Sequence, residues 1–169
     1  LTDLGGFVAS IYMRGIDFIN IPTSLLGMVD AGIGGKTGID LGGTKNSIGN
    51  YAHPLAILID TDVLSSLPDT ALREGLVEVV KMAAILDIQE FQWLEESLSS
   101  ILAREPKALE RSIELAATMK AGVVGGDERD AGNRQLLNFG HTVGHAVEAL
   151  SRFSISHGKA VSIGMVVEM

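Results

Sequence analysis

The stretch that decides the fold is residues 55–86, LAILIDTDVLSSLPDTALREGLVEVVKMAAIL. It opens on LAILID, a continuous apolar run that is typical of a strand buried on both faces of a parallel sheet. After Pro68 apolar residues recur at 72, 76, 79 and 83, the spacing of one face of a helix that begins at Asp69. The chain therefore changes from α/β to helical character between Ser65 and Pro68.

The segments before this boundary predict an α/β portion. Residues 4–14 have the pattern of a short helix with Asp3 as its cap, and residues 17–21 (DFINI) predict a strand that ends at Pro22. Seven of the 20 glycines fall within residues 32–49. We expect a specialised loop there, because glycine lets backbone approach a ligand closely.

The segments after the boundary predict helices only, at about 88–103, 106–124, 134–150 and 157–169. We therefore predict an α/β portion over residues 1–67 and an all-helical portion over residues 68–169. The chain starts on Leu1 and stops at Met169 inside an apolar pattern. It is interpreted as a piece of a longer protein.

Composition excludes several classes of protein. With 169 residues, 46% of them apolar and 20% charged, the chain can bury a core, which excludes disorder. A net charge of −8 disfavours broad electrostatic binding to nucleic acid or to an anionic membrane. No apolar run is long enough to span a membrane, which predicts a soluble protein. The absence of cysteine excludes disulfides and thiol nucleophiles and agrees with a cytoplasmic location.

Gly34-Gly35-Lys36-Thr37 has the ending of a phosphate-binding P-loop. The complete motif needs a glycine at position 30, which is Asp30 here, and a carboxylate there repels phosphate. This residue disfavours a P-loop nucleoside triphosphatase, and an ordinary flexible surface loop is the alternative. The same glycine-rich segment still carries Asp30, Lys36, Lys45 and Asn46 as candidate ligand-binding residues.

The predicted helix over 134–150 places Arg134, Asn138, His141 and His145 in one stripe, at spacings of 4, 3 and 4. An ordinary solvated face is the alternative, but such faces are usually built from Glu, Lys and Gln. Glycines 140 and 144 disfavour a helix interior by about 1 kcal/mol each, which indicates that another element packs closely against them.

This helix also suggests a metal site. Two histidines at i and i+4 can bind one metal ion, and His157 follows at the start of the next helix. Glu78 interrupts an apolar run on the first helix, and one carboxylate with two imidazoles is a common catalytic zinc set. Spacing leaves open which two of His141, His145 and His157 are ligands.

Five segments resemble the 3-dehydroquinate synthase family. They are residues 2–7 (TDLGGF), 22–40 (PTSLLGMVDAGIGGKTGID), 43–49 (GTKNSIG), 74–82 (EGLVEVVKM) and 134–146 (RQLLNFGHTVGHA). The resemblance implies an NAD- and metal-dependent lyase of the shikimate pathway, which makes 3-dehydroquinate and phosphate from 3-deoxy-D-arabino-heptulosonate 7-phosphate. Residues 1–67 are then the C-terminal part of a Rossmann-like NAD-binding domain, and residues 68–169 begin the helical metal and substrate domain. The chain alone is expected to be inactive.

The resemblance also implies roles for residues. The implied ligands of zinc, with cobalt as an alternative, are Glu78, His141 and His157. The implied NAD contacts are Asp3, Thr23, Ser24, Asp30, Lys45, Ser66 and Leu67. The implied active-site residues around the substrate are Lys36, Asn46, Lys81, Asn138 and His145, with Lys120 and Arg134 as a clamp on its carboxylate. Arg14 resembles an arginine that reaches into the neighbouring subunit's phosphate site, which implies a homodimer.

Two other functions are considered. A related sugar-phosphate cyclase, such as 2-deoxy-scyllo-inosose synthase, or a polyol dehydrogenase acts on substrates without a carboxylate, so a Lys120–Arg134 clamp favours dehydroquinate synthase. A non-enzymatic remnant is opposed by the complete set of site residues. Two departures from the family are Ala52, where an aromatic residue or histidine often follows Tyr51, and Lys159, which stands where glutamate is expected. A positive charge there is expected to weaken the support of His157.

Overall fold

The computed structural model describes residues 1–42 and 44–169, and among these the side chains of all except Thr44 and Lys45. The implied NAD contact of the Lys45 side chain therefore lies outside the described residues. The α/β portion contains α1 (Thr2–Ile11), β1 (Ile19–Asn20), a π-helical turn (Gly27–Ala31), β2 (Lys36–Leu41), β3 (Thr44–Tyr51), β4 (Ala56–Ile57) and a 3₁₀ helix (Thr61–Ser66). The helical portion contains α2 (Asp69–Leu86), α3 (Ile88–Leu102), α4 (Pro106–Gly126), a 3₁₀ helix (Asn133–Asn138), α5 (His141–Leu150) and α6 (His157–Glu168).

The first helix differs from the prediction at both ends. α1 begins at Thr2, so Asp3 lies in its first turn and does not cap it. A short 3₁₀ turn follows over Tyr12–Arg14, in which Met13 and Arg14 have φ of 51° and 72°. These left-handed conformations end the helix before residue 14.

β1 and β4 form a parallel pair, with Ile19 opposite Ala56 and Asn20 opposite Ile57. The prediction of a strand over residues 55–60 buried on both faces is wrong in extent and burial. β4 has two half-buried residues, while Leu55 and Leu58 are 70% and 53% exposed. Within the described residues this sheet consists of these two strands.

The glycine-rich segment forms an antiparallel hairpin of β2 and β3, where the sequence predicted a loop. Gly38 lies opposite Gly49, and a Cβ on Gly49 would stand 2.4 Å from the carbonyl oxygen of Thr37. A Cβ on Gly38 would stand 2.9 Å from the carbonyl oxygen of Ile48. These two glycines thus allow the two strands to approach each other closely. The expectation from the sequence was that they let the backbone approach a ligand.

The helical portion is built around α2, whose observed bounds, Asp69–Leu86, confirm the prediction. α2 packs against α3, α4 and α6, and it also contacts the π-helical turn. The predicted apolar stripe, which consists of Leu72, Leu76, Val79 and Ala83, is buried, and Met82 is buried beside it. The observed α/β-then-helical order confirms the predicted fold class, while the division at residues 67 and 68 stays a prediction. None of the helices in the described ranges has the length and apolar character of a membrane span.

The predicted continuous helix over 134–150 is wrong, because the chain turns sharply at Gly140. This glycine has φ of 77°, and α5 begins at the next residue. A Cβ on Gly140 would lie 2.5 Å from Cγ of Met165, so only glycine fits between the two segments. Arg134 and Asn138 belong to the preceding 3₁₀ helix and do not continue the stripe of His141 and His145.

Close packing against the glycines of this region is confirmed, and the partner is α6. A Cβ on Gly164 would stand 1.9 Å from the carbonyl oxygen of Gly140, and one on Gly144 would stand 3.1 Å from Cα of Val161. The two helices therefore meet backbone to backbone. This contact fixes the distance between the first residues of α5 and α6, which are His141 and His157.

We expect Gly164→Ala to destabilise the chain by about 1–3 kcal/mol, because the new methyl group overlaps backbone that cannot move independently. Gly122→Ala is the matched control, since a Cβ at Gly122 in α4 meets nothing within 4 Å. Alanine is favoured over glycine in a helix interior by up to about 1 kcal/mol, so the control should be slightly more stable than wild type. Urea unfolding of the two variants measures the difference. Equal stability of both would contradict the backbone contact.

Candidate functional site

Three helices bring Glu78, His141 and His157 together. Glu78 lies in the middle of α2, and the histidines are the first residues of α5 and α6. Nε2 of His141 lies 3.5 Å and Nε2 of His157 lies 3.4 Å from Oε1 of Glu78. One ligand atom from each residue lies within 4.8 Å of the other two. Two imidazole nitrogens and one carboxylate oxygen thus face a common point.

The electrostatics keep these groups in the forms that bind metals. Burial, and then the ammonium of Lys81, lower the pKa of His141, so its imidazole is neutral at pH 7. Burial raises the pKa of Glu78, but contacts with His157 and Lys81 outweigh it and the net direction is downward. Nδ1 of His141 lies 3.2 Å from the carbonyl oxygen of Phe139, an acceptor that leaves Nε2 as the free lone pair.

Lys81 is held in the core beside this group. Its side chain is 2% exposed, and its Nζ lies 2.5 Å from Oε2 of Glu78. Nζ also donates a hydrogen bond of 2.8 Å to the carbonyl oxygen of Leu137. The ion pair is completely buried and fixes one carboxylate oxygen, which leaves Oε1 directed at the two histidines.

A cavity of about 800 Å³ opens beside the three residues. The implied substrate residues that line it are Lys36, Asn46, Lys81, Lys120, Arg134, Asn138 and His145, together with His141 and His157. A smaller adjoining cavity of about 370 Å³ shares Lys36, Asn46, Lys120 and Arg134 with it. Arg14 lines neither cavity and is exposed at the end of the turn after α1.

The lysines of the cavity have carboxylate partners in this structure. Lys120 lies 2.5 Å from Oδ1 of Asp30 and also donates to the Asp30 carbonyl oxygen at 2.7 Å. Lys36 pairs with Asp130. Burial raises the pKa of Asp30, but Lys120 and Lys81 outweigh it and lower the pKa to about 2. Asp30, implied as an NAD contact, thus links the π-helical turn to α4.

The Asp30–Lys120 pair predicts a pH dependence of stability. Because the folded pKa of Asp30, about 2, lies below its ordinary 3.8, the pair stabilises the fold above pH 3.8 and the effect is lost as pH falls towards 2. Asp30→Asn should lower the free energy of unfolding by about 2 kcal/mol at pH 7, and by progressively less below pH 4. Urea unfolding at several pH values tests this, with exposed Asp17→Asn as the control. A pH-independent difference would contradict the assignment.

Arg134 is 3% exposed, yet it lines both cavities. Its guanidinium donates to the carbonyl oxygens of Glu128 at 2.7 Å and Gly34 at 2.8 Å. Gly34 has φ of 111°, and a Cβ there would stand 2.5 Å from Nη2 of Arg134. These contacts use two of the five donors of the guanidinium, so it joins the hairpin to the helical portion with donors remaining for a ligand.

The implied NAD contacts do not form one group in the described residues. Asp3 and Asp30 line the larger cavity, but Thr23, Ser24, Ser66 and Leu67 do not. Polar groups of three of these residues are hydrogen-bonded to other protein groups. Oγ of Ser24 accepts from the N–H of Gly27, Oγ of Ser66 donates to the carbonyl oxygen of Val63, and the carbonyl oxygen of Leu67 accepts from Arg104.

Sequence reasoning missed Glu148. This residue lies on α5, and its Oε1 stands 3.4 Å from Nδ1 of His157. It lies seven residues after His141 and three after His145, so helical periodicity alone could have placed it on their face. Its nearness to His157 depends on the turn between α5 and α6 and has no sequence signal. Lys159, expected to weaken the support of His157, is exposed.

Comparisons with known proteins match the whole chain. Residues 1–74 match the model of the 3-dehydroquinate synthase N-terminal family, and residues 75–169 match that of the 3-dehydroquinate synthase C-terminal family. The 3-dehydroquinate synthase of Sulfolobus acidocaldarius is 50% identical over 99% of this chain and 48% of its own length. That of Solibacter usitatus is 49% identical over 98% of this chain and 46% of its own. The chain spans about half the length of these curated relatives.

Solved structures agree with the sequence comparison. The 2-epi-5-epi-valiolone synthase of Streptomyces hygroscopicus subsp. jinggangensis, solved with NAD⁺ and Zn²⁺, aligns with a TM-score of 0.92 at 35% identity, over 99% of this chain and 47% of its own. A 2-deoxy-scyllo-inosose synthase, solved with carbaglucose-6-phosphate, NAD⁺ and Co²⁺, aligns with a TM-score of 0.88 at 32% identity, over 95% of this chain and 44% of its own. With both portions matched by models of one family, the chain belongs to the 3-dehydroquinate synthase family.

Proposed function

We propose that this chain carries the metal centre and the substrate cavity of an enzyme that converts 3-deoxy-D-arabino-heptulosonate 7-phosphate into 3-dehydroquinate and phosphate. The observation that carries the proposal is the convergence of Glu78, His141 and His157, whose ligand atoms lie within 4.8 Å of one another. The cavity beside them is lined by basic and carboxamide side chains, which are Lys120, Arg134, Asn46 and Asn138. Cytoplasmic location and assembly as a homodimer, with Arg14 reaching the partner's site, belong to this proposal.

The residues fit a divalent metal ion. Oε1 of Glu78 is completely buried, and the Nε2 atoms of His157 and His141 face it at 3.4 and 3.5 Å. One buried carboxylate oxygen and two imidazole nitrogens around one point are a donor set that suits a cation. Glu78, His141 and His157 would hold Zn²⁺ or Co²⁺, and their donor set leaves room for a substrate oxygen. When bound, the metal supplies a Lewis acid that makes a substrate hydroxyl more acidic.

The fit to NAD rests on the α/β portion. Asp3 and Asp30 line the larger cavity, and their carboxylates could accept hydrogen bonds from hydroxyl groups such as those of a ribose. The remaining implied contacts, Thr23, Ser24, Lys45, Ser66 and Leu67, stay part of the proposal. When bound, NAD supplies reversible hydride transfer, so the overall reaction involves no net oxidation.

The chain's own residues bind and orient the two anionic ends of the substrate. Arg134 has donors left for a planar carboxylate, and Lys120 can exchange its contact with Asp30 for one with the substrate. Lys36, Asn46 and Asn138 line the cavity at positions suited to phosphate and hydroxyl groups. His145 is exposed at the cavity and can hold a proton near the reacting hydroxyls. Fixing both ends in one geometry is the main contribution of the protein.

Because the curated relatives are about twice as long, the activity is best tested in a chimera. This chain replaces the aligned half of the Sulfolobus acidocaldarius enzyme, and phosphate release and 3-dehydroquinate formation are measured. We expect turnover that Glu78→Ala abolishes. A chimera that binds Zn²⁺ and NAD⁺, turns over a sugar phosphate without a carboxylate and leaves the heptulosonate phosphate unchanged would favour the related cyclases instead.

A further inference from the structure

We infer that Glu148 is a positioning residue for the metal centre: its carboxylate accepts the Nδ1 proton of His157 and so directs the Nε2 lone pair of His157 at the metal. The inference rests on the proposed function, since it concerns the metal site described above. It adds a residue that neither the sequence motifs nor the implied ligand set contained.

The geometry places Glu148 on the far side of the His157 ring from Glu78. Oε1 of Glu148 lies 3.4 Å from Nδ1, while Oε1 of Glu78 lies 3.4 Å from Nε2. The side chain of Glu148 is 7% exposed, so little water screens its charge. The imidazole is therefore held between two carboxylates, one facing each ring nitrogen.

A neutral imidazole carries one proton, and its position decides which nitrogen can bind a metal. With the proton on Nδ1, the ring donates to Glu148 and Nε2 offers its lone pair towards Glu78 and His141. With the proton on Nε2, the lone pair of Nδ1 would face the negative charge of Glu148. Glu78 competes less well for the proton because its charge is already paired with buried Lys81. The arrangement thus favours Nδ1–H.

His141 shows the same design with a different acceptor. Its Nδ1 lies 3.2 Å from the carbonyl oxygen of Phe139, and its Nε2 faces Glu78. Both histidines thus place an acceptor at Nδ1 and direct Nε2 to one point. Acceptors of this kind raise the basicity of a metal-binding imidazole and fix its orientation.

A competing arrangement uses Glu148 as a ligand. One ligand atom each from His145, Glu148 and His157 lies within 4.8 Å of the other two, which could hold a second cation. A neutral imidazole binds one metal, so this site and the first exclude each other at His157. The first set is the more buried, with Glu78 at 0% and His141 at 15% side-chain exposure, whereas His145 is exposed. We therefore assign Glu148 to the support of His157.

The test compares wild type, Glu148→Gln and the control Glu110→Gln, which removes a glutamate charge from the exposed face of α4. Zn²⁺ affinity is measured on the 169-residue chain by competition with a chromophoric chelator. We expect one Zn²⁺ per chain, an affinity about 10- to 100-fold weaker in Glu148→Gln, and an unchanged affinity in the control. Thermal unfolding of each variant establishes that it is folded.

A second measurement needs no variant and no metal. Long-range ¹H–¹⁵N NMR of histidine-labelled wild-type chain, at a pH where imidazole is neutral, assigns the proton of His157 to Nδ1 or Nε2. We expect Nδ1–H in wild type and a shift towards Nε2–H in Glu148→Gln, which a purely structural role would not produce. Nε2–H in wild type, a Zn²⁺ affinity unaffected by Glu148→Gln, or binding of two Zn²⁺ ions with one lost in that variant would overturn the inference. Failure of wild type to bind Zn²⁺, with His157 in the Nδ1–H form, would contradict the proposed function alone.

Discussion

Glu78→Ala should destabilise the chain by about 3–5 kcal/mol and abolish binding of Zn²⁺. The stability effect arises because Lys81 is 1% exposed. Without Glu78 its ammonium would stay buried as an unpaired charge, with the carbonyl oxygen of Leu137 as its acceptor among the described residues. The metal effect arises because the variant removes the only carboxylate of the three-residue ligand set. Urea unfolding and Zn²⁺ titration measure the two effects separately.

A matched double variant separates the two causes. Glu78→Leu combined with Lys81→Met removes both buried charges and replaces them with apolar side chains of similar size, a change that is often neutral or stabilising. We expect the double variant to recover most of the stability lost in Glu78→Ala and to remain unable to bind Zn²⁺. A Glu78→Ala chain within 1 kcal/mol of wild type would contradict the buried ion pair.

The second large effect is expected for Arg134→Ala in the chimeric enzyme, where kcat/KM for the heptulosonate phosphate should fall by about 30- to 1000-fold. That range corresponds to the loss of about 2–4 kcal/mol of transition-state binding when a carboxylate in a closed site loses its charged partner. The guanidinium also donates hydrogen bonds to the carbonyl oxygens of Glu128 and Gly34. The variant loses these bonds, so its free energy of unfolding should be lower too.

Arg134→Lys separates the effect of the positive charge from that of the planar guanidinium. Lysine keeps the positive charge but lacks the planar fork, so it cannot contact two separated carbonyl oxygens and a carboxylate together. We expect an intermediate loss of activity, with the larger part in KM. Unchanged kcat/KM in folded Arg134→Ala would favour a cyclase whose substrate has no carboxylate.

Elements of the fold that are set by neighbouring residues could be predicted from the sequence. Elements that depend on contacts between residues far apart in the chain could not. α2 was predicted with its observed bounds because an apolar stripe, Pro68 and Asp69 are local signals. The helix over 134–150 was predicted wrongly because the left-handed turn at Gly140 is required by contact with Met165, which lies 25 positions along the chain. The hairpin was missed because Gly38 and Gly49 mask the alternation of a strand, and their function in close strand pairing appears only in three dimensions.

The residues of the candidate site also differ in whether the sequence could indicate them. Spacing indicated a histidine-based metal site but left the choice among three histidines open, since it cannot place the N-terminus of α6 against α5. The resemblance to the family supplied Glu78, His141 and His157 as the implied ligands. The position of Glu148 beside His157 follows from the close contact of α5 and α6 at Gly144 and Gly164, which no local pattern shows.

The central claim is that these three residues hold the metal, and the most direct test is an anomalous difference map of the zinc-loaded chain recorded at the zinc absorption edge. We expect one strong peak between Oε1 of Glu78 and the Nε2 atoms of His141 and His157, at about 2.0–2.2 Å from each. A peak between His145, Glu148 and Nδ1 of His157, with none at Glu78, would contradict the account.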